Sequence, residues 1–434
     1  IMSIRAIAGG WIKNGRGSAN AASLSLNFLD GSTDYRITYS GGANGTRVNS
    51  SGNIVAATTP RFDYDPVTLA AKGLLVEEAR TNLFTYSEQF DNAAWVKAGA
   101  SISANAVVAP SGATTADKLV ESAANATHYV YEVITQAANT TNSITVYAKA
   151  AERSYIGLQM TPDGANYVYC TFNVSTGTAS TPVNLGNGSG AVASITPAGN
   201  GWYRCSLSGI PSSTVANPVC AVYVGASNAN FAAVPYLGDG TSGVYIWGAQ
   251  IEAGSFPTSY IPTTSASVTR TADLASMTGT NFSSWYNPTE STFVTAFDIP
   301  YAVPSTSGPR VLCAADATSE TTNGQLIFSP GITGKICAIN SFSGGANAGR
   351  LDAVEANTPN AVIKAAAAFA LNDRALSVNG VTPVTSGSGA LPVGVDRLYI
   401  GGGATVATYL NGHIRTLQYF PRRLPNTQLQ ALTA

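Results

Sequence analysis

The run Ser143-Ile-Thr-Val-Tyr-Ala-Lys149 places Ile144, Val146 and Ala148 at every second position, on one side of an extended chain. Short runs of the same kind recur at His128-Tyr-Val-Tyr-Glu-Val-Ile134, Tyr155-Ile-Gly-Leu-Gln-Met160 and Cys220-Ala-Val-Tyr-Val224, with turn residues between them. Many short strands at this spacing predict a β-sandwich over residues 73–262, with one face of each strand in the core.

Toward the N-terminus, residues 1–72 are rich in glycine. Their strand signals are brief: Leu24-Ser-Leu-Asn-Phe28, Tyr35-Arg-Ile-Thr-Tyr39 and Asn53-Ile-Val-Ala56. So thin a segment cannot bury a core alone, and docking on another chain is the expectation. On the other side, Thr263-Thr-Ser-Ala-Ser-Val-Thr-Arg-Thr-Ala-Asp273 is small and polar, and residues 263–280 read as a linker. Residues 281–434 return to strands, among them Ser291-Thr-Phe-Val-Thr-Ala-Phe297 and Arg397-Leu-Tyr-Ile400. The predicted fold is all-β: a small N-terminal β segment followed by two β-sandwich domains. No heptads, Gly-X-Y triplets or short repeats occur, so the chain does not form a fibre shaft of its own.

Bulk composition narrows the partners. The 434 residues correspond to about three domains. Only 11% are charged, against about 25% in an average soluble domain, so solubility rests on Ser, Thr, Asn and Gly. With 23 basic and 24 acidic residues and a net charge of -1, the chain has no broad field to hold a phosphate backbone or an anionic membrane, and neither nucleic acid nor membrane insertion is expected. No apolar run approaches the roughly 20 residues of a membrane span. Ile1 to Trp11 lacks a signal-peptide pattern, which predicts synthesis in a cytoplasm. Cys170, Cys205, Cys220, Cys313 and Cys337 are odd in number and widely spaced, the pattern of buried free thiols.

Three phrases bracket the middle region: Gly73-Leu-Leu-Val-Glu-Glu-Ala-Arg-Thr-Asn82, Gly199-Asn-Gly-Trp-Tyr-Arg-Cys205, and Val244-Tyr-Ile-Trp-Gly-Ala-Gln-Ile-Glu-Ala-Gly-Ser-Phe-Pro-Thr-Ser-Tyr-Ile-Pro262. Together they resemble the middle domain of a family of tailed-bacteriophage structural proteins, a jelly roll like that of carbohydrate-binding modules. Pro60-Arg-Phe-Asp-Tyr-Asp-Pro66 resembles the attachment segment before it. The close of the chain, Leu410 to Leu432, resembles the last strand and terminal helix of concanavalin A-like (LamG-like) lectin domains. The resemblance implies a protein of the virion surface that contacts other virion proteins. It further implies a homo-oligomer, with a trimer first, and host cell-surface glycan as ligand for a tail fibre or receptor-binding adhesin. A capsid-decorating or head-fibre protein is the alternative. A polysaccharide depolymerase is a third reading, which the residues oppose.

Hydrolysis of a glycosidic bond takes two carboxylates flanking it. Glu77 and Glu78 are neighbours on a strand and point to opposite faces; one is expected in solvent and one in an ion pair with Arg80. The only histidines, His128 and His413, fall in different predicted domains without a partner for a triad or zinc site. No enzyme and no firm cofactor are expected. Calcium is the one ion the residues suggest: Asp63 and Asp65 share a face of an extended segment, the alternative being turn aspartates before Pro66. For glycan, aromatic faces are needed. Trp202 and Trp247 read as core, whereas Trp95, Tyr129, Tyr131 and Tyr167 are the surface candidates.

Overall fold

The alternation of the middle region is realised as two antiparallel sheets packed face to face. The computed structural model describes residues 21–57, 59–230, 234–301, 311–316, 322–327, 338–353, 358–403 and 408–434; Trp11 and Cys337 lie outside them. One sheet has six strands in the order Ser189–Pro197, Tyr203–Ile210, Asn142–Ala150, Gly243–Ala253, Ala116–Glu121, Ala100–Val107. The facing sheet runs Thr178–Ala179, Tyr167–Asn173, Tyr155–Thr161, Val219–Gly225, Tyr129–Val133, Val96–Ala98, with Val183–Leu185 also joined to Tyr167–Asn173. Ile144, Val146 and Ala148 meet Val130, Leu158, Val168 and Val222 in a core closed to solvent. Cys170, Cys205 and Cys220 lie in the same core and Cys313 is buried elsewhere, all four as free thiols.

A second sandwich follows the same logic. Its larger sheet runs Val384–Ser386, Asp373–Val378, Ile363–Ala370, Glu290–Asp298, Gly412–Phe420, Ala71–Val76, Arg61–Tyr64, and Leu24–Asn27 also pairs with Gly412–Phe420. The opposing sheet runs Thr38–Ser40, Leu274–Thr278, Arg397–Ile400, Leu312–Ala315, Gly324–Ile327, Ala338–Ser343, Ala346–Asp352. Phe293, Phe297, Ala365, Ala367, Leu398 and Leu417 fill the space between. The closing helix Asn426–Thr433 packs Leu429 against this sandwich, with Pro425 at the position before it.

Two expectations need correction. The segment 1–72 is not a separate docking piece as far as it is described, since Leu24 pairs with Tyr419, Leu26 with Leu417, and Arg61–Tyr64 reaches the same sheet through Ala71–Val76. Leu24, Leu26, Phe28 and Ile37 are too few for a core of their own and complete the C-terminal one. The boundary at 72/73 cuts through a strand. Residues 263–280 are likewise no linker: Val268–Arg270 pairs with Arg80–Asn82, and Leu274–Thr278 lies between Thr38–Ser40 and Arg397–Ile400. Small polar side chains hid Val268–Arg270, which backbone pairing holds, whereas Leu274–Thr278 adds Ala275 and Met277 to the core.

Candidate functional site

Each sheet of the middle sandwich has an outward face, and the chain treats the two differently. On the six-stranded sheet the outward residues Tyr147, Trp202 and Trp247 form an aromatic cluster with Tyr260; Tyr147 and Trp247 meet edge-on at 5.5 Å, and Trp247 and Tyr260 at 4.8 Å. The hairpin of Thr46–Val48 and Ile54–Ala56 covers this cluster. Ile54 joins it directly, Thr46 Oγ1 donates to Tyr260 O (2.6 Å), and Ile54 N donates to Pro110 O (2.9 Å). Trp202 and Trp247 are core residues, as the sequence predicts.

The opposite sheet keeps its aromatic face more open. The registers set Tyr129, Tyr223, Gly157 and Thr171 in one row across four strands, and Tyr131, Ala221, Gln159 and Tyr169 in the next. Tyr131, Tyr129 and Tyr223 form a ladder of rings, with centroids 5.7 and 4.6 Å apart and planes inclined by 30° and 24°. Tyr169 meets Tyr223 edge-on at 6.2 Å. It leans over Gly157, where a Cβ would stand 2.5 Å from its hydroxyl, so the missing side chain makes the room. Tyr223 donates to Gln159 Oε1 (2.7 Å), and Tyr169 bonds Thr171 Oγ1 (2.9 Å). The 226–230 loop laps one end, Ala229 O accepting from Thr171 and Asn230 Nδ2 donating to Tyr167 (2.7 and 3.2 Å).

Tyr129, Tyr131 and Tyr155 are partly exposed. Burial, with a smaller contribution from Tyr131, raises the Tyr129 phenol, and burial raises Tyr223 further. Both hydroxyls therefore stay protonated and able to donate at neutral pH. The strand residues on this face are Tyr, Thr, Gln, Asn, Val, Ala and Gly, without a charge among the described positions. Glu132 points inward instead, its Oε1 accepting from Thr85 N and Oγ1 (3.1 and 2.9 Å). The arrangement offers a ring ladder, a row of neutral hydroxyls and an amide, and no acid or base.

Of the four surface candidates, Tyr129, Tyr131 and Tyr167 come together here, but Tyr167 is buried at 7% exposure, with Asn230 on its hydroxyl, and only Tyr129 and Tyr131 reach the surface. Trp95 does not. It is 1% exposed, packed between Phe84 and Phe90 at 4.8 and 4.9 Å, with Nε1 donating to Tyr86 O (2.7 Å). The polar run before it is a turn that folds back over the core. Tyr223, Tyr169 and Gln159 were missed; their alternation in Cys220–Val224, Tyr167–Asn173 and Tyr155–Thr161 was the available signal.

Nor do the calcium candidates form a site. Asp63 accepts from Val48 N (2.6 Å) and faces His413 Nε2 (3.1 Å), whereas Asp65 caps its own turn through the N–H groups of Val67 and Thr68. His413 Nδ1 lies 2.7 Å from Asp298, which Arg415 also holds at 3.0 Å. Burial and Lys72 push the His413 imidazole down, but Asp298 and Asp63 outweigh them and raise it. His128 is buried, with its ring nitrogens at Gly99 O and Tyr236 O.

Glu78 pairs with Arg80 as expected (2.5 Å), but Glu77 is buried, not solvated. Burial would raise it; Arg270 and Arg61 prevail and hold it well below the usual carboxylate range. A cavity of about 10 Å³ beside Arg61, Asp273 and the Tyr39 hydroxyl, which has no partner among the described residues, has room for about one water molecule and no ligand.

No family model matches the chain, and no curated protein matches it. Solved structures give distant likenesses. Trypanosoma rangeli sialidase aligns at 12% identity and a TM-score of 0.27, over 73% of this chain and 60% of its own. The LG1-3 region of the laminin alpha2 chain aligns at 10% and 0.25, over 69% and 66%. Mouse laminin alpha1 domains LG4-5 align at 12% and 0.22, over 70% and 88%. The chain thus spans about 60% of the sialidase. No site residue transfers from them.

Proposed function

We propose that the protein is a non-catalytic glycan-binding component of a tailed-phage virion surface, of tail-fibre or receptor-binding type, with the tyrosine face of the middle sandwich as its binding surface. One observation carries the reading. Of two outward aromatic faces, the chain covers one with its own hairpin and leaves Tyr129, Tyr131 and Tyr155 accessible on the other. Sugar C–H surfaces stack on aromatic rings, and hydroxyls exchange hydrogen bonds with phenols and amides. A face without charge suits a neutral glycan. The virion assignment is supported by the phrases at 73–82, 199–205 and 244–262, which resemble phage structural proteins.

The test is a glycan array probed with the intact protein and with Tyr131→Ala, alongside localisation on particles by electron microscopy. Binding lost in Tyr131→Ala, with the melting temperature kept, supports the reading. Absence of binding by the intact protein would sink it and leave a capsid-decorating role.

A further inference from the structure

We propose that the edge strand Ser189–Pro197 pairs antiparallel with the same strand of a second copy of this chain, across a twofold axis, so that two six-stranded sheets become continuous. Backbone polarity supports this. Ala198 N donates to Trp202 O, and hydrogen-bonding groups alternate sides along a strand. Val192, Ser194 and Thr196 therefore turn their backbone toward Tyr203–Ile210, and Ala193 and Ile195 turn theirs away. Beyond this pair the outward donors are already accounted for. Pro197 has no N–H, and the N–H of Ala191 is held by Asn184 Oδ1 (3.0 Å). The N–H groups of Ala193 and Ile195 are left facing outward, without a partner among the described residues.

The rim around them carries no charged guard, and the two devices that blunt an edge, Pro197 and the register shift between Ser189 and Val192, stand at its ends. Sheet edges are ordinarily protected by lysine, inward charges or bulges. Here no Asp, Glu, Lys, Arg or His occurs from Gly164 to Tyr203, the stretch that supplies every strand of this rim. Val192 is 64% exposed and Leu185 44%. An uncharged strip gives no electrostatic grip to a charged partner, whereas an identical strip meets it without like-charge repulsion, and a twofold contact needs only one such surface.

A geometric consequence follows. Antiparallel edge pairing sets the twofold perpendicular to the sheet, so both tyrosine faces look to the same side. If the glycan reading holds, one dimer addresses one surface with two sites; the pairing itself does not depend on that reading.

Sedimentation equilibrium of the full chain should show a dimer. Val192→Lys places like charges beside the axis and should give a monomer with an unchanged melting temperature, while mixing Val192→Lys with Val192→Glu should restore the dimer. Should either variant misfold, hydrogen exchange on the native protein decides: the amides of Ala193 and Ile195 should be protected in the dimer and exchange faster on dilution. A native monomer at all concentrations, a trimer, a dimer that survives Val192→Lys, or unprotected amides at both positions would overturn the proposal.

Discussion

Arg61 and Asp273 are 212 residues apart and form a two-pronged ion pair with the Arg61 guanidinium closed to solvent. Glu77 takes the same guanidinium at 2.7 Å, and Arg270 approaches both carboxylates at 3.6 Å. Two cations thus face two anions between the sandwiches, and Ser259 N and Oγ donate to Glu77 from the middle one (2.7 and 2.6 Å). Desolvating four charges is costly, so the network does not earn its place as net attraction alone; its removal in part is what destabilises.

Arg61→Met should therefore cost about 3–5 kcal/mol, because it leaves Asp273 buried with its main partner gone. Thermal or urea unfolding of the full chain measures this. A loss below about 1 kcal/mol, the range of exposed pairs, would show that water reaches the network.

His413 predicts a pH dependence. With carboxylates at both ring nitrogens, the charged ring donates twice, whereas a neutral ring can donate only once. Its folded pKa is raised, so its stabilisation is complete below the unfolded value of about 6.5 and is lost as pH rises through the folded value. On the acid side, burial opposes ionisation of Asp298, but His413 and other cations hold it down to about 2. That contribution is present above about 3.8 and is lost as pH falls through about 2. Melts from about pH 5 to about pH 9 should show the native protein losing stability on the alkaline side, and His413→Gln lower but flatter. Equal slopes would exclude His413 as the source.

These two clusters mark where sequence reading ends. The period-two alternation of Ser143–Lys149 placed Ile144, Val146 and Ala148 in a core, because alternation is a local property of one strand. Arg61, Glu77 and Asp273, or Asp63 and His413, meet only through pairing across the chain, and nothing in their neighbours announces it. Trp95 shows the converse error: a polar approach, Gln89 to Ala94, read as exposed, while Phe84 and Phe90 closed over the ring. Tyr129, Tyr131 and Tyr167 were legible as strand aromatics, but which sheet face stayed open depended on where the Thr46–Ala56 hairpin lies.

Trp202 lies 2% exposed beneath that hairpin, with Nε1 donating to Val108 O at 3.2 Å. Trp202→Ala should cost about 3–5 kcal/mol, as for other large buried aromatics. Glycan binding at temperatures below the melt should persist, since the tyrosine face is on the other sheet. An unchanged melting temperature with binding abolished would reverse the roles assigned to the two faces.

Hydrolysis should not occur at the tyrosine face. It carries no carboxylate among the described strand positions, and protonating a leaving oxygen requires a positioned acid. Host capsule or lipopolysaccharide incubated with the protein should keep its size distribution. Shortening that disappears on replacing one acidic residue would place an active site elsewhere in the chain.

Binding should be weak at each site and insensitive to salt. The Tyr131–Tyr129–Tyr223 rings face one another, which leaves a sugar the outer side of the ladder and the phenol edges rather than three flat platforms. Little area is buried per sugar, and linked copies supply the rest, raising avidity by about 10²–10⁴-fold. With no charge on the face, screening has little to act on. Calorimetry on a soluble oligosaccharide, compared with binding to a dense glycan surface at low and high salt, separates the two contributions. The expected result is feeble affinity in solution, strong retention on the surface, and nearly the same values at both salt concentrations. Tight binding of a single oligosaccharide, or a steep loss with salt, would point instead to a charged pocket outside the tyrosine ladder.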